Sequence, residues 1–154
     1  WGSNTGQGMV IAGKRTGTGK TTIASVIGLE LIDREQVSVQ FVNCERWFRR
    51  LKGAMGHSDE NPEELIGQVE DADLLILDEL ILDDLSDYEE RTLRSALEYR
   101  YDRKVPTIVT TNHSSQELED DLEYRILRRL KDINEFIQLN EKYSKQTGRQ
   151  KAKA

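Results

Sequence analysis

The chain has 154 residues, 36% hydrophobic and 32% charged, with a formal net charge of −6. That supports one domain with a single core and argues against both a disordered chain and a uniformly basic nucleic-acid binder. No apolar stretch reaches the roughly 20 residues a membrane span needs, and a single cysteine, Cys44, rules out an internal disulfide and fits a reducing cytoplasm.

The chain opens on Trp1-Gly2-Ser3 without an initiating Met, which reads as a trimmed start within a longer protein. Met9-Val10-Ile11-Ala12 is a short apolar run entering a glycine-rich turn, the pattern of a buried strand. Ile23, Ile27 and Leu31 are spaced by four, so residues 20–32 read as a helix. Val37, Val39 and Phe41 alternate and predict a second strand over 37–42. Residues 45–55 read as a short helix, Asn61-Pro62 as a turn, and 63–69 as a further helix. Leu74-Leu75-Ile76-Leu77 is apolar throughout and predicts a strand buried on both faces. Ser86 is a cap for a long helix over 87–103. Thr107 to Thr111 is β-branched throughout and reads as a fourth strand, 118–130 as a helix, and 135–139 as a fifth strand. Residues 144–154 are polar and basic and read as a frayed tail. Strands alternating with helices predict an α/β fold: a mainly parallel five-stranded sheet, helices on both faces, ligands at the carboxyl ends of the strands.

The turn after the first strand contains Gly17-Thr18-Gly19-Lys20-Thr21-Thr22. Small residues between a strand and a helix let backbone N–H groups point at a phosphate, and the helix N-terminus adds a favourable dipole. In such a P-loop, Lys20 reaches the β- and γ-phosphates of ATP and the Thr21 hydroxyl ligates Mg²⁺. The bland alternative is a glycine-rich turn with a chance lysine. The usual spacing is a glycine, four residues, then Gly-Lys-Ser/Thr. Here Lys14 stands where the first glycine belongs, and Gly13 lies one residue too far upstream. The third strand ends in Asp78-Glu79. Asp78 suits the Mg²⁺ shell and Glu79 a general base for water, against the plain reading of an acidic strand end. Asn112 follows the fourth strand, where an amide can orient water or contact the γ-phosphate. A lone Asn there is also a turn former. His113 reads as structural.

Together these residues resemble the AAA+ ATPases, and within them the DnaC/DnaI-type helicase loaders and the related IstB transposition ATPases. The matching elements are Gly13-Lys14 with Gly17 to Thr21, Leu75 to Glu79, Pro106-Thr107 through Thr111-Asn112, and Glu123 through Arg129. They cover nearly the whole chain. The family often shows Gly-Lys-x-Gly-x-Gly-Lys, so one residue looks inserted after Lys14. The resemblance implies an AAA+ ATP-binding domain over 1–143 with no separate lid domain. It implies a cytoplasmic, ATP-switched homo-oligomer in which a neighbour's arginine completes each site. By position Arg129 best matches that finger, with Arg125 and Arg128 as rivals, against the alternative of a solvated basic face. A finger supplied in trans is worth ~10³–10⁵ in turnover. The implied partners are a hexameric replicative helicase and single-stranded DNA. No residue after Leu139 matches the family's second sensor arginine.

Arg46, Arg49 and Arg50 fall at i, i+3 and i+4, on one helical face, with Trp47 and Phe48 interleaved. Arginines on phosphates and an exposed Trp47 stacked on a base would bind single-stranded DNA. The alternative puts Phe48, Leu51 and Met55 on the core and leaves the arginines solvated. Three other functions stay open: an IstB-like regulator of transposition, a small P-loop kinase, and a non-hydrolysing nucleotide-binding scaffold. The Asp78-Glu79 pair favours hydrolysis over transfer to an acceptor.

Overall fold

The structure, a computed structural model, describes residues 7–56, 59–114, 117 and 135–139. In chain order these form β1 (Met9–Ala12), α1 (Lys20–Glu35), β2 (Val39–Asn43), α2 (Cys44–Ala54), α3 (Pro62–Asp71), β3 (Leu74–Leu80), α4 (Asp87–Asp102), β4 (Thr107–Thr111) and β5 (Glu135–Gln138). The helix expected over 118–130, with Arg125, Arg128 and Arg129, and the tail 144–154 lie outside the described residues. Among the described residues no helix is long and apolar enough to cross a membrane.

The strands form one parallel sheet in the order β2-β3-β4-β1-β5. From β1 the chain moves to the far edge at β2, then returns through β3 and β4. Crossovers of one hand then place the outgoing helix and the returning helices on opposite faces. Accordingly α1 packs on one face, with Ala24, Ile27 and Leu31 against Ile11, Leu74, Ile76 and Ile108. The other face carries α2, α3 and α4, whose Trp47, Phe48, Leu51, Leu65, Val69, Leu93, Ala96 and Leu97 meet Val10, Leu75, Leu77 and Val109. Alternate residues of each central strand therefore serve opposite cores, which is why β1 and the Leu74–Leu77 part of β3 read as continuous apolar runs and β4 as β-branched throughout.

Local signals set the helix ends. Ser86 and Glu89 form a reciprocal capping box at the start of α4. Asn61 accepts from the Glu63 N–H with Pro62 in the first turn of α3. Gly28 lets α1 lie close on the sheet: a Cβ there would come within 2.7 Å of Ile76 Cδ1 and 3.3 Å of Val39 Cγ1. That close approach fixes the helix whose first two residues are Lys20 and Thr21.

β3 runs three residues beyond its apolar core, and its last part is irregular. Leu77 pairs with Val109 but Leu80 pairs with Thr111, so Asp78 and Glu79 together oppose Thr110. This is a β-bulge. Glu79 takes a left-handed backbone, φ 55°.

Candidate functional site

The P-loop links the carboxyl end of β1 to the start of α1. Its left-handed residues are Gly17 (φ 75°) and Gly19 (φ 95°), conformations a side chain would strain. Lys14 is not among the residues with positive φ. The backbone at Lys14 therefore makes no conformational demand for glycine. Thr18 Oγ1 donates to the Arg15 carbonyl at 3.2 Å, closing a short turn. Lys20 is buried, and its ammonium donates to the carbonyls of Gly13 (2.8 Å) and Arg15 (2.7 Å), with Thr18 Oγ1 at 3.4 Å. Burial lowers its pKa, against the opposing pull of the Glu79 and Asp78 charges. An ammonium so enclosed gives the loop a fixed positive centre.

Beside it, Thr21 Oγ1 donates to Asp78 Oδ1 at 2.8 Å across 57 residues of sequence. Thr110 Oγ1 donates to the same oxygen at 2.7 Å. Asp78 is 5% exposed, and two hydroxyls orient its carboxylate. A hydroxyl and a carboxylate fixed in contact are hard oxygen donors of the kind Mg²⁺ takes in phosphate sites. The donor set therefore fits that ion.

The bulge turns Glu79 out of the sheet, where it is exposed. Its N–H donates to Thr110 Oγ1 at 2.9 Å, so this one hydroxyl accepts from Glu79 while donating to Asp78. Its carboxylate accepts from Asn43 Nδ2 at 2.9 Å. Asn43 also caps α2 through Oδ1, which accepts from the Arg46 N–H at 3.1 Å. One side-chain amide thus spans from the helix start to the acid.

Asn112 is half-buried one residue past β4. The preceding Thr111 pairs with Ala12 on one side and Leu80 on the other, and its carbonyl accepts from the Gly13 N–H at 3.2 Å. Asn112 thus stands at the same sheet edge as the P-loop, Asp78 and Glu79. His113 is anchored by its N–H to Thr111 Oγ1 (3.2 Å) and faces Asp83 at 3.6 Å.

Two site residues escaped the sequence reading. Asn43 carried a signal, since Asn before a helix is a favoured cap. Its bond to Glu79 depends on β2 lying beside β3. Thr110 sits in a β-branched strand and reads there as core alone.

The nucleic-acid reading of α2 requires a correction. Trp47 is 3% exposed, and its Nε1–H donates to the Leu65 carbonyl at 3.2 Å. It packs beside Phe48, ring centroids 5.3 Å apart, and is not available to stack a base. Met55, which the alternative reading put on the core with Phe48 and Leu51, is 55% exposed. Arg46, Arg49 and Arg50 are exposed, as the spacing predicts. Arg49 pairs with Glu45 at 2.9 Å, and Arg50 holds Glu60 through Nε at 2.9 Å. The Arg50 hydrogen bond keeps the Glu60 carboxyl below its ordinary range.

The chain matches the model of the IstB-like ATP-binding proteins over residues 3–152. It is 29% identical over 122 residues to the replicative helicase loader DnaC of Escherichia coli (strain K12), covering 79% of this chain and 49% of the relative. It is 28% identical over 120 residues to the replicative helicase loader DnaI of Bacillus subtilis (strain 168), covering 77% and 37%. The chain thus spans half or less of the curated relatives it matches. A crystal structure of the DnaC helicase loader superposes with a TM-score of 0.77 at 24% identity, covering 91% of this chain and 82% of that one. That likeness shows that this chain shares the fold of that neighbour.

Proposed function

The chain belongs to the family of IstB-like ATP-binding proteins, and from that premise we propose that it is the ATP-binding and ATP-hydrolysing domain of a replicative helicase loader. One observation carries the reading: the Thr21–Asp78 hydrogen bond beside the buried Lys20 ammonium, at the carboxyl edge of a parallel sheet. The names of the DnaC and DnaI relatives supply the loader role.

In this reading Gly17, Thr18, Gly19, Lys20, Thr21 and Thr22 cradle the triphosphate, with Lys20 at the β- and γ-phosphates. Thr21 and Asp78 would hold Mg²⁺, and that ion would supply charge neutralisation at the phosphates. Glu79 accepts a proton from the attacking water, and Asn112 orients that water. Arg129 of a neighbouring copy supplies the missing positive charge, so an isolated chain hydrolyses ATP slowly. ATP holds the homo-oligomer on single-stranded DNA, hydrolysis releases it, and the setting is cytoplasmic. Arg46, Arg49 and Arg50 contact phosphates without Trp47. If so, Arg49→Glu with Arg50→Glu weakens single-strand binding and flattens its salt dependence. Unchanged binding across a salt titration removes α2 from the DNA path.

The family model gives a second reading, an ATPase serving transposition. Co-purification separates the two. A loader retains a hexameric replicative helicase in the presence of Mg²⁺ and ATP. Retention of a transposase and not the helicase overturns the loader reading.

A further inference from the structure

The residue that breaks the usual P-loop spacing makes a contact of its own. Lys14 Nζ lies 3.1 Å from Glu117 Oε1. The other Glu117 oxygen accepts from the Ser114 N–H at 2.7 Å and the Ser114 hydroxyl at 2.9 Å. The Glu117 N–H donates back to Ser114 Oγ at 3.2 Å. Ser114 and Glu117 thus hold each other by reciprocal hydrogen bonds. With Lys14 added, the carboxyl is drawn down to about 2, the Ser114 backbone bond contributing most.

Asn112 lies between two anchors. Upstream, Thr111 is fixed by its carbonyl to the Gly13 N–H and by its hydroxyl to the Leu80 carbonyl, 2.9 Å. Downstream, Ser114 is fixed by Glu117, and Glu117 by Lys14. Both anchors lead back to adjacent residues at the start of the P-loop. Only Asn112 and His113 lie between these anchors, so holding Thr111 and Ser114 constrains the path of Asn112.

We propose that the Lys14–Glu117 ion pair is a positioning device for Asn112, tying the segment after β4 to the phosphate loop so that amide and bound phosphates keep a fixed separation. The inference rests on the ATPase reading above. Lys14 and Glu117 are positioning residues and touch no substrate. Their side chains are 64% and 47% exposed. An exposed pair adds little to stability and is screened by salt, so its removal registers in geometry before it registers in folding.

The test uses Lys14→Met, Glu117→Gln, the double variant and Lys14→Arg. Gln keeps an oxygen that can accept from Ser114 but removes the charge. Each single variant should lower kcat by about two- to fivefold, with KM and Tm nearly unchanged. The double variant should be no worse than either single one. Lys14→Arg should restore the rate, and high salt should bring the wild type towards the variants. Backbone amide NMR signals of residues 112–114 should move in the same direction in Lys14→Met and Glu117→Gln, with or without turnover. Unmoved signals, single effects that multiply in the double variant, or no recovery with Lys14→Arg overturn the device. A wild type that hydrolyses no ATP overturns the ATPase reading, and the NMR signals then decide the Lys14–Glu117 link by themselves.

Discussion

Thr110 decides where two neighbouring acids point. A glutamate held in left-handed backbone costs on the order of 1–3 kcal/mol, and Glu79 stays there because Thr110 accepts its N–H while Asn43 binds its carboxylate. The same hydroxyl donates to Asp78, so one fully buried side chain separates the roles of the pair. Thr110→Val keeps the shape and removes the hydroxyl. It leaves a buried carboxylate oxygen and an N–H each short of a partner, about 1–3 kcal/mol. Expected are a lower Tm and at least about a tenfold loss of ATP turnover, because small misplacements of reacting groups are costly. Thr110→Ser should retain most of both. A Val variant that turns over at the wild-type rate would show that the bulge does not depend on this hydroxyl.

The elements are locked at the opposite edge of the sheet by Arg100, 1% exposed. Its guanidinium donates to the carbonyls of Val69, Glu70, Ala72 and Pro106 and to Thr107 Oγ1. The end of α4 is thereby tied to the end of α3 and the start of β4. Burial lowers its pKa to about 10, against the charges of Asp73 and Asp71. Arg100→Met removes every one of these donors at once. A loss of about 3–5 kcal/mol is expected in denaturant unfolding, since several buried acceptors are left unsatisfied at about 1–3 kcal/mol each, with little change in ATP affinity, because the site is at the other edge. A loss under about 1 kcal/mol would refute the lock. None of this was legible in advance, since Arg100 reads as one more charge on a helix. The helix α2 was partly legible. Cys44, Trp47, Phe48 and Leu51 fall at i, i+3, i+4 and i+7, a buried stripe. Reading Trp47 with the arginines instead of with that stripe put it on the wrong face.

At the scale of the molecule, the parallel sheet and its two covered faces were legible because β1 and the start of β3 are apolar on both sides, β4 is β-branched throughout, and all three alternate with helices. The P-loop was legible because its glycines and Lys20 are contiguous. Long-range contacts were not: Asn43 with Glu79, Thr110 with Asp78, and Lys14 with Glu117 lie 32 or more residues apart and depend on which strands are neighbours in the sheet. Titration of a fluorescent ATP analogue in Mg²⁺, together with phosphate release, bears most immediately on the site these contacts build. The wild type should bind the analogue and release phosphate slowly. Lys20→Ala should lose binding by about a hundredfold, as removal of a buried, phosphate-facing charge implies. Glu79→Gln should bind within about threefold of wild type yet release phosphate at least about a hundredfold more slowly. Equal affinity in the wild type and Lys20→Ala, with both proteins folded, would contradict ATP binding at this loop.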